Sequence, residues 1–134
     1  MPYSSYPSTA LLLIAHGSRR QEANDDLLRL AKMMREKNLF SLVEVSYLEV
    51  VEPTIPQGVA KCVEKDIQEV IMFPYFLSAG DHVTKDLQQF CNQFSKEYPA
   101  VQFHLCPPLG LHPLMLEIVI SRIAEGVSNS SRST

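Results

Sequence analysis

Residues 10–15, 42–48, 69–74 and 101–105 form four short apolar runs, and each leads into a longer segment whose apolar residues return at helical spacing. A strand followed by a helix, repeated four times, leaves few ways to fold. Parallel strands need crossover connections, and a helix is the usual one, running right-handed across the sheet. The rhythm therefore predicts an α/β fold: a single doubly wound domain with a four-stranded parallel sheet and helices on both faces. The most economical strand order is flavodoxin-like, 2-1-3-4. Its switch point then lies between the first and third strands, and ligands are expected beyond their carboxyl ends.

Helices are expected at 21–37, 54–65, 81–98 and 114–124. In the first, Leu27, Leu28, Leu30, Ala31 and Met34 make the apolar stripe, leaving Arg29, Lys32 and Arg35 for the wet side. The second carries Pro56 in its first turn, where a missing N–H costs nothing. At 134 residues the chain has the length of one domain, ~150 residues being typical. That domain is assigned to 10–125, with 1–9 an N-terminal extension and 126–134, the Ser-rich GVSNSSRST, a flexible tail.

Composition removes several functions. Hydrophobic residues at 46% and charged residues at 20% match an ordinary globular protein and exclude a disordered or low-complexity chain. A formal charge of -3 argues against a nucleic-acid partner, whose phosphates demand a net supply of cations. Cys62, Cys91 and Cys106 show no C-x-x-C spacing, so neither a disulfide framework nor a zinc finger is expected, and a reducing cytoplasm fits best. The run at 10–15 is too short for a signal-peptide core or a bilayer span, so no export signal and no membrane partner are expected.

His16 follows directly on the first apolar run, and Gly17 after it lets the chain turn sharply. His82 stands just past the third run, behind Gly80, and Glu49 closes the second. Two imidazoles and a carboxylate from three strand ends are the ligand types of an open divalent-metal site. Glu52 is a second acid nearby, and Glu49 is preferred as the nearer to its strand end. His104 alternates with Phe103 and Leu105 and reads as structural, and His112 is explained by the turn before Pro113.

The segments AHGSR at 15–19, YLEVVEPTI at 47–55, FPYFLSAGDHVTKDL at 73–87 and PPLGLHPLM at 107–115 resemble, in order and spacing, the small class II chelatases. These are the sirohydrochlorin cobaltochelatases and ferrochelatases, and the resemblance spans residues 11–124. It implies that His16 and His82 bind the incoming metal, with Glu49 helping to hold it or taking a proton. It further implies sirohydrochlorin as substrate, Co²⁺ first and Fe²⁺ next as the metal, and a role in cobalamin or siroheme biosynthesis. Long members of the family contain two such units. One unit with no internal repeat implies a homodimer, and the absence of a cysteine cluster implies no cofactor beyond the substrate metal and no iron–sulfur centre.

The substrate is a flat ring edged with carboxylates. Ser18 and Arg19 open the first helix, and Thr84 and Lys85 lie in the third, where exposed N–H groups and the helix dipole favour anions. These residues are expected to bind the rim, although solvated surface positions account for the basic ones equally well. Phe76, between Tyr75 and Leu77, either lines the face of the ring or belongs to the core. Two rivals stand beside the chelatase. A phosphohistidine enzyme is weakened by the order H-G-S-R and by the lack of a G-x-x-x-x-G-K-[ST] loop. A non-catalytic metal or tetrapyrrole carrier would use the same two histidines.

Overall fold

The computed structural model describes residues 5–64 and 66–133, with side chains through residue 129. The chain runs β1 (Tyr6–Ala15), α1 (Gln21–Glu36), β2 (Phe40–Tyr47), α2 (Ile55–Cys62), β3 (Glu69–Pro74), α3 (Asp81–Glu97), β4 (Gln102–Leu105) and α4 (Pro113–Ser133). All strands pair in parallel, in the order β2-β1-β3-β4. This is the order expected from the strand-helix rhythm.

β1 is central and apolar on both faces, as buried parallel strands are. Ala10, Leu12 and Ile14 pack with Val59 and Cys62 of α2 and Leu87, Cys91 and Phe94 of α3. Leu11 and Leu13 face the other way, toward Leu27 and Ala31 of α1. α1 therefore covers one face of the sheet, while α2 and α3 cover the opposite one. Leu28, assigned to the apolar stripe, is exposed, and Arg35, exposed as expected, reaches over to donate from Nε and Nη2 to the Val43 carbonyl at 3.2 and 2.6 Å.

α2 begins on a full capping box. The Thr54 hydroxyl accepts from the Gln57 N–H, and the Gln57 side-chain carbonyl accepts from the Thr54 N–H. It sits close to the sheet through Gly58, where a Cβ would stand 2.8 Å from the Leu12 Cδ1. The predicted end of this helix, Lys65, lies outside the described residues, and α2 closes at Cys62.

Both chain ends differ from the sequence reading. β1 starts at Tyr6 rather than residue 10, with Tyr6 stacked on Phe40 at 5.2 Å and a register shift before Ala10. Ser8 at φ 55° marks the irregularity, which breaks the alternation that strand prediction relies on. At the other end, α4 continues through Gly126 to Ser133, where a flexible tail was expected. Apolar periodicity reports burial, whereas the helical ladder needs only the absence of proline and tolerates serine at about 0.5 kcal/mol per residue. Residues 1–4 of the expected extension and Thr134 of the expected tail lie outside the described residues.

Candidate active site

The β1–β2 ladder continues beyond both strands. The Leu48 N–H donates to the Ala15 carbonyl at 2.9 Å and the Glu49 N–H to the His16 carbonyl at 3.0 Å. His16 and Glu49 are thereby fixed as backbone neighbours at the carboxyl ends of β1 and β2. On the other flank the Tyr75 N–H donates to the Ile14 carbonyl at 2.7 Å, tying the end of β3 to β1 at the switch point. Gly17 makes the approach of residues 47–49 possible. It has φ 93°, and a Cβ there would run into the Glu49 carbonyl oxygen.

The His16 ring stacks on Phe76, centroids 4.2 Å apart and planes inclined by 28°. Phe76 itself is 6% exposed and belongs to the core under α2 and α3. Its core reading is thus the one observed, and its accessible neighbours Tyr75 and Leu77 are the exposed apolar side chains of this loop. An imidazole braced on an aromatic face keeps its ring nitrogens available without spending one on a hydrogen bond. Among the described residues neither His16 nor Glu49 has a side-chain hydrogen bond or ion pair, whereas the Glu52 carboxylate accepts from Gln57 Nε2 at 3.1 Å. Of the two acids, Glu49 is the free one.

His82 is exposed in the first turn of α3, reached through the loop that follows β3. No ladder bond ties it to His16 or Glu49. Among the described residues no three His, Cys, Asp or Glu side chains gather closely enough to hold a metal ion. The three predicted ligands thus share the mouth of the sheet without closing into a formed cluster.

The loop after His16 is held by a network that sequence reading missed. The Ser18 N–H donates to Asn24 Oδ1 at 2.9 Å, and Asn24 Nδ2 donates back to the Ser18 carbonyl at 2.8 Å. The Tyr47 hydroxyl donates to the Asn24 carbonyl at 3.0 Å, joining α1 to the end of β2. Burial, with Asp25 adding a smaller push in the same direction, raises the Tyr47 hydroxyl above its ordinary value, so it stays a donor. A polar residue among the apolar positions of α1 was the available signal, and Asn24 is buried.

Of the predicted rim residues, the Ser18 hydroxyl accepts from the Arg20 N–H at 3.0 Å, and Arg19, Thr84 and Lys85 are exposed. α1 and α3 both begin without a side-chain cap, unlike α2. Their first-turn N–H groups therefore have no side-chain acceptor, although in α1 the Ala23 N–H donates to the Arg20 carbonyl at 3.1 Å. His104 is paired with Glu69 at 2.8 Å, and His112 Nδ1 accepts from the Leu114 N–H at 3.1 Å, so both serve local structure.

A parallel sheet whose switch point presents an imidazole and an unpaired carboxylate defines an open α/β domain with side chains of metal-ligand type where such folds bind ligands. The family model described as CbiX matches residues 10–126, and the chain belongs to that family. Among curated proteins, it is 33% identical over 119 residues to the chloroplastic sirohydrochlorin ferrochelatase of Arabidopsis thaliana, covering 89% of this chain and 53% of that one. It is 44% identical over 78 residues to the sirohydrochlorin cobaltochelatase of Methanocaldococcus jannaschii, covering 58% and 54%. The fold matches that of the sirohydrochlorin chelatase SirB from Bacillus subtilis subspecies spizizenii in complex with cobalt. There the TM-score is 0.80 at 24% identity, over 87% of this chain and 50% of that chain. The chain spans about half the length of the curated relatives named here.

Proposed function

We propose that the protein is a sirohydrochlorin chelatase that places Co²⁺, or Fe²⁺, at the centre of the macrocycle and releases the two inner N–H protons. The observation that carries this reading is the pairing at the switch point of the His16 strand end with the free Glu49, in a chain of the CbiX family. Neutral imidazoles of His16 and His82 hold the metal without saturating it, so pyrrole nitrogens displace them by ligand exchange. Glu49 adds a ligand or accepts one proton, and a freed imidazole accepts the other, which balances metal uptake against proton loss. Ser18, Arg19, Thr84, Lys85 and the uncapped helix starts receive the carboxylate rim. Phe76 acts on the ring only through His16. The working unit is a homodimer in the cytoplasm, and the three free thiols suit a reducing compartment.

The test is anaerobic incubation of the protein with sirohydrochlorin and Co²⁺, Fe²⁺ or Ni²⁺, followed by the absorption change of the macrocycle. Multiple turnovers are expected from the wild type, lost in His16→Ala and His82→Ala. His82 is exposed, so its truncation is expected to leave the unfolding free energy within about 0.5 kcal/mol of wild type. Equal loss of folding and insertion would remove the assignment. A wild type that binds metal or ring yet never exceeds the spontaneous rate is the carrier instead.

A further inference from the structure

Apart from the half-buried Met115, α4 is exposed along its described length, and its apolar residues are mostly large ones. Leu116, Val119, Ile120 and Ile123 are between 50% and 62% exposed and share one arc, while Glu117, Ser121, Arg122 and Glu125 fall on the other side, with Leu114 and Ile118 among them. A soluble chain does not ordinarily leave such an arc in water. The sheet has a matching deficit. α1 lies over β1 and β2, so the same face of β3 and the segment after β4 is left uncovered. There an apolar trough of about 410 Å³ is lined by Leu11, Leu13, Ile71, Phe73, Tyr75 and Cys106 among others, and no residue of α4 enters it.

The connection explains why the helix does not fill its own trough. The N–H groups of Cys106, Leu109 and Gly110 donate to the carbonyls of Met72, Phe76 and Leu77 at 2.9, 3.0 and 2.7 Å. α4 starts at Pro113 on a turn closed by the Met115 N–H to the His112 carbonyl at 2.8 Å. Only Leu111 and His112 stand between the tied loop and the helix, which leaves α4 little slack to turn back over its own sheet. Docking on a second copy requires no such turn.

We infer that two copies exchange α4, each laying its apolar arc in the other's trough. A 21-residue helix is roughly 30 Å long and 10 Å wide. Two docked helices, counted on both surfaces, therefore bury about 1,200 Å², the lower bound for a stable interface. The inference rests on the homodimer reading and is independent of the insertion chemistry.

Single cysteines are introduced at Leu116, Ile120 and Ile123, one turn apart, and joined to native Cys106 with a flexible bis-maleimide. Cys62 and Cys91 are buried and stay out of reach. Peptide mapping of the dimer-sized product is expected to find a link between Cys106 and at least one α4 position, absent in Cys106→Ser. Sedimentation is expected to show a wild-type dimer and a monomeric Ile120→Asp/Ile123→Asp variant of unchanged circular dichroism, because both side chains face solvent within the protomer. A link inside one chain overturns the exchange, as does a dimer that survives the double variant and yields no such link. The latter outcome leaves the homodimer itself standing, whereas a monomeric wild type overturns both.

Discussion

Gly17 carries two constraints at once, a left-handed φ of 93° and a surface pressed against the Glu49 carbonyl. An L side chain costs roughly 1–2 kcal/mol at such a φ, and the overlap must also push residues 47–49 away from β1. Gly17→Ala is therefore expected to lose at least about 2 kcal/mol in urea unfolding. It should also weaken Co²⁺ binding more than a core variant of equal instability, because the displaced segment carries Glu49. Unchanged metal affinity beside a lowered midpoint would show that the His16–Glu49 spacing is unimportant. At this scale the sequence was partly readable. His16 and Gly17 could be placed because a buried strand writes itself as an unbroken apolar run and stops abruptly. The choice of Glu49 over Glu52 rests on nearness to the strand end, and what the sequence could not show is that Gln57, while capping α2, also engages Glu52 and leaves the Glu49 carboxylate without a side-chain partner among the described residues. The bracing of His16 by Phe76 left no trace, since a core aromatic and a buttress look alike in one dimension.

Among the elements, α2 shows how closely a helix can approach this sheet. At Gly58 an added Cβ would meet Leu12 Cδ1 at 2.8 Å, Ser46 Cβ at 3.0 Å and the Val45 carbonyl at 3.3 Å. Alanine is the better helix former by about 1 kcal/mol, yet overpacking a fitted contact costs typically 1–3 kcal/mol. Leu12 is fully buried and has little room to yield. Gly58→Ala is thus expected to lower stability by about 1–2 kcal/mol net in chemical denaturation, and a stabilised variant would mean that α2 lifts freely from the strand. The elements most legible beforehand are α1 and α3, whose burial imposes a clean period, and β1 from Ala10 onward, whose burial on both faces leaves an unbroken apolar run. The elements misjudged at their ends, β1 before Ala10 and α4 after Ala124, lack that imprint. β1 starts across a register shift, and α4 is not packed within the protomer, so its extent follows from the backbone ladder instead of from burial.

For the molecule as a whole, the core on the α2 and α3 side ties stability to alkaline pH through its thiols. Cys62 is fully buried at the end of α2, and burial, with a smaller contribution from Glu44, pushes its thiol from about 9 up to about 12. Below pH 9 the thiol is protonated in the folded and unfolded states alike, so it adds no slope. Between about 9 and 12 the unfolded chain gives up a proton that the folded chain keeps, and stability falls at up to about 1.4 kcal/mol per pH unit. Cys91, Cys106 and Tyr47 are raised as well, chiefly by burial, and act in the same direction. Cys62→Ala separates the share of one thiol from the rest, because the other raised groups are common to both proteins. At pH 7.5 the wild type is expected to be the more stable, since alanine leaves the helix–sheet contact underfilled. Urea midpoints followed from pH 7.5 to 11 should then converge above pH 9 and cross. Parallel curves would mean that Cys62 ionises in the folded protein as readily as in the unfolded chain, and that the seal α2 makes on β1 and β2 opens to water.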